Sequence, residues 1–420
     1  MLLGVIADDF TGATDIAGFL VENGMKTIQL NGVPTQTLTM DADAVVISLK
    51  SRSCPAEEAV ADSVAALRWL QAAGCQQFYF KYCSTFDSTA QGNIGPVTDA
   101  LMAELGTSFT VICPALPVNG RTVCHGHLFV NGELLSESGM RHHPVTPMTD
   151  ANLMRLMDAQ SNGKSGLVNY AVLDQGSAAV EAAFRELQRQ GIRYAVVDTL
   201  SDQHLQTIGA ACKDLKLVTG GSGLAAGIAR HWVSAADKAT AQALSAGRPQ
   251  AGKTVVLSGS CSVMTNQQVG HYLAIAPHFA LDVNACLTDS HYSQTVCEWV
   301  LANLDSEYAP LVYATANPEL LKAIQAEFGA QASSRAVEQF FSQLAHALRE
   351  HGVRNFIVAG GETSGVVTQS LGVKGFHIGP QIAPGVPWVK AIDQDLSLAL
   401  KSGNFGDKSF FQKAQGYFHD

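Results

Sequence analysis

Short apolar runs alternate along this chain with longer segments in which apolar residues recur at helical spacing, and the rhythm persists almost throughout. Leu2 to Ala7 reads as a buried strand, and Ala13 to Val21 as a helix with Gly24 beyond its end. Asp43 to Leu49 reads as the next strand. The helix PAEEAVADSVAALRWLQAAG follows and stops at Gly74. The strand QFYFKYC, a helix around GPVTDALMAELG and the strand FTVICPA continue the series. Strand and helix in alternation predict a mainly parallel sheet covered on both faces.

The rhythm breaks at Pro117 to Thr149, a long polar segment in which HGHLFVNGELL, with its central Asn-Gly, predicts a hairpin. It resumes through SAAVEAAFRELQRQG, RYAVVDTL and KLVTGGSGLAAGIARHW. The stretch Val233 to Gly252 is rich in Ala, Ser and Gln, offers little to bury, and separates two α/β series. The second series runs from TVVLSGS through HFALDV, APLVYATA and NFIVAGGETSG to GFHIGPQIAPGVPWV and LALKSGNFGD. The expected architecture is therefore α/β in two domains, each a mainly parallel sheet flanked by helices, with a ligand cleft between them. The expected boundaries are 1–232, a linker at 233–252, and 253–420.

Composition narrows the function classes. With 420 residues, 47% of them hydrophobic, the chain can bury large cores. A formal net charge of −10 argues against nonspecific binding to nucleic acid or anionic membrane. Met1 leads straight into a strand without a basic, cleavable leader, and no apolar run spans a bilayer, so a cytoplasmic setting is expected. Nine cysteines at irregular spacing contain no CxxC pair and do not form a disulfide framework. The 13 histidines include no HExxH, and no protein-held metal site is assigned.

Candidate chemistry gathers at strand ends. In ADDFTGATD, Asp8 and Asp9 stand side by side where the first strand stops, on the rim where open α/β sheets bind ligands. One carboxylate suffices to cap a helix, so the second points to a ligand. Arg52 follows the strand VVISLK, and Lys81 opens KYCSTFDSTAQGNIG, which also carries Asp87. Two cations beside paired carboxylates suit a small anionic, hydroxylated substrate: Arg grips a carboxylate in two places, Lys offers a point charge, and an aspartate orients or deprotonates a hydroxyl. An internal ion-pair network supporting the loop ends is the competing explanation for any one of these residues. In the second series glycines follow strands three times, in LSGSCS, AGGETSG and KSGNFG. Glycine lets backbone amides approach phosphate, and a helix opening after GGETSG presents its positive end.

Taken together, ADDFTGATD, FKYCSTFDSTAQGNIG, GGETSG and LKSGNFG resemble the four-carbon acid sugar kinase family over essentially the full chain. The resemblance implies an N-terminal sugar-acid-binding domain, a C-terminal nucleotide-binding domain, and ATP with Mg²⁺ as cofactors. It implies 3-oxo-tetronate as the substrate, phosphorylated at C4, with threonate or erythronate as alternatives. By position it assigns Ser258, Gly360, Gly361, Glu362, Thr363 and Gly403 to the nucleotide. Asp9, Arg52 and the run Lys81, Tyr82, Cys83 and Ser84 fall on the substrate side, with Asp87 nearby. Where relatives often carry Arg after the DST stretch, this chain has Ala90-Gln91.

General phosphoryl-transfer chemistry then gives Asp9 the role of accepting the hydroxyl proton. Asp8 holds the strand-end geometry, Arg52 the substrate carboxylate, and Lys81 the transferred charge. The choice of base among Asp8, Asp9 and Asp87 stays open, as does homo-oligomerisation. The partners expected are the sugar acid and ATP, without nucleic acid or membrane. A two-lobe binding protein without catalysis is the reading from another class, and a dehydrogenase is disfavoured because no GxGxxG follows the first strand. One motif is set aside. Gly247 to Thr254, GRPQAGKT, matches the P-loop pattern, but it precedes the β-branched run TVVLS instead of following a strand and opening a helix.

Overall fold

The computed structural model describes residues 2–36, 38–143, 145–233 and 236–418. Chain contacts divide it into two compact units, Met1–Ala243 and Leu244–Asp420. In chain order the first unit contains strands β1 (Leu3–Ala7), β2 (Thr27–Asn31), β3 (Ala44–Ser48), β4 (Gln77–Lys81) and β5 (Thr110–Cys113). A three-stranded antiparallel sheet follows: β6 (Arg121–Cys124), β7 (His127–Val130) and β8 (Glu133–Leu134). The unit closes with β9 (Ser165–Val168), β10 (Tyr194–Val197) and β11 (Leu217–Gly220). Outside the small sheet, the strands lie in the order β2-β3-β1-β4-β11-β5-β10-β9, every neighbouring pair parallel.

The sequence explains this arrangement locally. Val5, Ile6, Val45, Val46, Ile47 and Tyr79 are all at 0% exposure, as continuous apolar strands must be when both faces are covered. Helix α1 (Phe10–Glu22) turns Ala13, Ile16, Ala17 and Leu20 inward at three- and four-residue spacing. Helices α2 (Ala56–Ala72) and α3 (Ile94–Leu105) repeat the pattern, and α3 stops on the left-handed Gly106. The predicted hairpin is present: Asn131 and Gly132, both at positive φ, turn β7 into β8. A second pair, His125-Gly126, turns β6 into β7 in the same way.

Parallel strands put all carboxyl ends on one rim. In register, Ala7 of β1 pairs with Ser48 of β3 and with Lys81 of β4, and Lys81 pairs with Gly220 of β11. The helix α4 (Gly223–Trp232) starts directly after β11. All nine cysteines are free.

The stretch expected to be a linker, 233–252, is in part a helix. Helix α5 (Ala236–Ser245) lies within it; its Ala243 is buried and its Thr240 hydroxyl donates to Glu22 O in α1. Residues 234 and 235 lie outside the described residues. Ala and Gln favour helix as much as they signal a lack of core, and here the helix propensity prevails.

The second unit has β12 (Thr254–Ser258), β13 (His278–Ala280), β14 (Leu311–Tyr313), β15 (Asn355–Ala359), β16 (Gly375–Ala383), β17 (Val386–Ala391) and β18 (Ser397–Lys401). Their order is β13-β14-β12-β15-β18-β17-β16, parallel as far as β18 and antiparallel beyond it. The antiparallel pair follows from its sequence: Gly385 at φ 76° makes a tight turn, and Pro380, which has no N–H to donate, falls within a register shift of β16. Helix α6 (Val263–Leu273) follows β12, and α7 (Gly361–Ser370) follows β15. The P-loop lookalike ends on the first residue of β12 and opens no helix; Lys253 is exposed.

Candidate active site

In the first unit the strand-end charges meet. Arg52 donates to Asp8 through Nε at 3.0 Å and Nη2 at 2.8 Å, a two-point grip, and its Nη1 lies 2.9 Å from Asp9 Oδ2. Asp8 is only 5% exposed. Burial pushes its carboxyl above the usual value, against the pull of the Arg52 guanidinium. Burial also works against the charge on Arg52, but Asp8 and Asp9 outweigh it and hold the guanidinium protonated. Asp9 also serves the helix behind it, since its Oδ1 accepts the Gly12 amide at 2.8 Å and so makes it the N-cap of α1. Capping and an ion pair with Arg52 therefore coexist in one residue.

Lys81 is 3% exposed, and its ammonium donates to Tyr82 O at 2.6 Å. A Cβ added at Gly12 would stand 2.5 Å from Asp9 Oδ1 and 2.9 Å from Lys81 Nζ. A side chain at this position would displace the ends of both the carboxylate and the ammonium. Asp87 sits in the loop after β4, where Phe86 and Asp87 both take left-handed φ values of 67° and 37°. Strain of this kind in consecutive non-glycines is concentrated at functional sites. Thr85 donates to Asp87 Oδ1 at 2.6 Å and stands 3.0 Å from Cys83 Sγ. Burial and the Asp87 charge raise the Cys83 thiol pKa, against the pull of Arg52 and Lys81. Asn93 ties the Arg52 loop down by donating to Ser51 O and Cys54 O, both at 2.8 Å.

Tyr82 departs from expectation. Its side chain is fully buried, edge-on to Phe80 and Phe86, with its hydroxyl 2.9 Å from Thr219 Oγ1. An aromatic residue one position past a buried strand fills the core, and only its backbone belongs to the rim. Ser84 is half-buried beside Gly221.

In the second unit the three glycine turns converge, because β12, β15 and β18 are adjacent and parallel: Ser258 pairs with Ala359, and Ala359 with Lys401. Gly360 has φ 124°, a conformation essentially reserved for glycine. A Cβ on it would meet Thr363 Oγ1 at 3.0 Å and the Ser260 amide at 3.1 Å. Gly403 faces Ser260 Oγ and Ser262, each 3.0 Å from an added Cβ. Gly361 and Glu362 open α7 on its exposed side, and nothing lies within 4 Å of a Cβ at Gly361. Ser258 is wholly buried, and its hydroxyl lies 2.7 Å from Thr315 Oγ1. Backbone amides at a glycine turn and a helix start are the chemistry of phosphate binding.

Several participants escape a reading of the sequence. Gly12 looks like an ordinary turn residue. The segment GGSG after β11 looks like one more step in the strand–helix rhythm; Gly221 and Gly223 lie against Pro114 O and Ala115 O, 2.6 and 2.7 Å from an added Cβ, and Ser222 donates to Asp15 at 2.5 Å. Lys401 passes for the polar end of a strand. A lone lysine ending an apolar strand is the signal that Lys81 and Lys401 share. No cluster of three or more His, Cys, Asp or Glu side chains suited to a metal occurs among the described residues. Nor is any described helix long and apolar enough to cross a membrane.

A charged carboxylate rim in one α/β unit and a glycine-turn cradle in another are features suited to a small acid and to a nucleotide respectively. Family models agree: residues 3–228 match a sugar-binding N-terminal domain and residues 255–411 a nucleotide-binding C-terminal domain. The chain belongs to the four-carbon acid sugar kinase family. It is 63% identical over 415 residues, 99% of this chain and 95% of the relative, to 3-oxo-tetronate kinase of Brucella melitensis. It is 61% identical over 417 residues, 99% of this chain and 100% of the relative, to the protein of that name from Haemophilus influenzae. A crystal structure of a Haemophilus influenzae protein at 60% identity superimposes with a TM-score of 0.92, covering 99% of this chain and 100% of the other.

Proposed function

We propose that this protein is an ATP-dependent kinase that phosphorylates the C4 hydroxyl of 3-oxo-tetronate. The observation that carries the reading is identity of 61–63% across 99% of the chain to relatives bearing that activity in their names. The geometry supplies a route. Arg52 has five N–H donors, of which Nε and one on Nη2 go to Asp8 while Nη1 pairs with Asp9 by charge, so donors on the Nη nitrogens remain for a substrate carboxylate. Asp8, buried and gripped at both oxygens, aims that guanidinium and does not itself reach substrate. Asp9 is 32% exposed and keeps acceptor capacity beyond its cap and its ion pair, so it takes the proton of the attacking hydroxyl. Lys81 adds positive charge beside it, offsetting charge that develops on the transferred group.

In the nucleotide unit the amides at Ser260 and around Gly360 to Thr363 hold phosphate oxygens. Mg²⁺ bound together with ATP would supply charge neutralisation at the phosphates. A cytoplasmic setting accords with the need for ATP. The test is ADP release from ATP with 3-oxo-tetronate, threonate and erythronate in parallel. Turnover restricted to the 3-oxo acid is expected, and no turnover with any of them sinks the reading.

A further inference from the structure

Lys401, at 0% exposure, is the most deeply buried charged side chain besides Asp198 among the described residues. It ends β18 and joins the three glycine turns physically. Its carbonyl accepts the Gly360 amide at 2.8 Å, fixing the turn before α7. Its ammonium donates to Gly403 O at 2.6 Å, to Ser402 O at 3.1 Å, and to Thr265 Oγ1 at 3.0 Å in the first turn of α6. Thr265 in turn donates to Gly403 O at 2.8 Å and, through Ser262 Oγ at 3.0 Å, connects to the β12–α6 turn. Every one of these acceptors is a carbonyl or hydroxyl.

A buried ammonium satisfied only by neutral groups is an unusual choice for a fastening. Neutral side chains could bridge the same carbonyls without the desolvation cost. The charge has value where an anion arrives nearby, because a cation in low dielectric acts on it through neighbouring groups without touching it. We propose that Lys401 is a positioning residue for the nucleotide phosphates, holding the Gly403 turn against α6 and supplying the positive field that the glycine amides alone lack. This rests on the reading of the second unit as the ATP site. The ammonium carries the lowered pKa that burial imposes, and no charged neighbour contributes to that shift, in keeping with a site that awaits its counter-charge.

The test is calorimetric titration of a nonhydrolysable ATP analogue with Mg²⁺, and of adenosine, into the parent protein, Lys401→Met and Lys401→Gln. Methionine keeps the length and apolar stem; glutamine keeps a donor for Gly403 O without charge. The expected result is that both variants melt no lower than the parent by more than a few degrees and lose about tenfold or more in affinity for the ATP analogue, with adenosine unchanged. In kinetics the KM for ATP rises while the KM for the sugar acid stays put. Equal loss for adenosine and the analogue, or full affinity in Lys401→Gln, reduces Lys401 to a structural pin and overturns the proposal. Failure of the parent itself to bind the analogue is a different result: it removes the ATP site, and with it the reading on which the proposal rests. Should Lys401→Met fail to fold, Lys401→Gln carries the comparison alone.

Discussion

Two strand-ending lysines, Lys81 and Lys401, show how one residue type is placed under different constraints. Lys81 has Asp9 close by and Asp8 within range of its charge, whereas burial pushes the Lys401 ammonium down to about 8 with no opposing carboxylate. An unfolded lysine keeps its proton to about 10.4, so between about 8 and 10 the unfolded chain binds more protons than the folded one. Stability from this group therefore rises with pH across that window, and below it the buried charge is a standing penalty of up to roughly 3 kcal/mol. The stability of the parent relative to Lys401→Met should therefore rise between pH 7 and about pH 10, whichever of the two melts higher at pH 7; thermal scans at both values check it, and a difference that does not change with pH contradicts the assignment. Asp9 gives the complementary case. Asn caps a helix almost as well as Asp, so Asp9→Asn should preserve α1 and lower kcat by about a hundredfold if the carboxylate takes the proton. Unchanged turnover in a folded variant leaves Asp9 as a cap alone.

At the scale of elements, the strand–turn–helix joints do the positioning. Gly12 is the joint between β1 and α1, and its missing Cβ leaves room for the ends of both Asp9 and Lys81 beside it. Gly12→Ala should leave the helix intact, since alanine favours it, yet displace that carboxylate and ammonium and cut kcat/KM for the acid by about tenfold or more. Circular dichroism with steady-state kinetics separates the two effects. Elements are also what the sequence discloses best. Period and punctuation locate β1, β3, β4 and α2, because their apolar positions answer only to burial. They cannot show that Ala-rich 236–245 is helix, since the same composition serves linker and helix alike. Nor can they show that Arg52 grips Asp8, a contact between residues 44 positions apart that exists only because β3 lies beside β1. Tyr82 misleads because adjacency to Lys81 in sequence says nothing about which way a side chain turns. The GRPQAGKT segment is readable for the same reason as the strands: the TVVLS run after it answers to burial. Lys253→Ala should keep kcat and the KM for ATP within about threefold of the parent, whereas a true P-loop lysine would cost orders of magnitude.

At the scale of the whole molecule, each ligand is assigned to its own unit, and the two should respond to mutation separately. Arg52→Ala is a poor probe of this, because it would strand the buried Asp8 carboxylate without a partner, a loss of about 3 kcal/mol or more that blurs binding with folding. Arg52→Lys is better. It keeps one positive charge for Asp8 and removes the planar fork, and the three donors of an ammonium cannot keep a two-point grip on Asp8 while also reaching Asp9 and a substrate. The expected outcome is a KM for the sugar acid raised by about tenfold or more, with affinity for a nonhydrolysable ATP analogue within about twofold of the parent. Gly403→Val is the counterpart. A branched side chain there has Ser260 Oγ and Ser262 only 3.0 Å from its Cβ, so it must push those serines aside; ATP analogue binding should fall and sugar-acid binding persist. Calorimetry on both variants with both ligands tells the cases apart. A crossed pattern, one ligand lost in each variant, is the signature of two independent sites. Matched losses of both ligands in both variants would mean that acid and nucleotide share one set of contacts, and that the division of labour between the units is wrong.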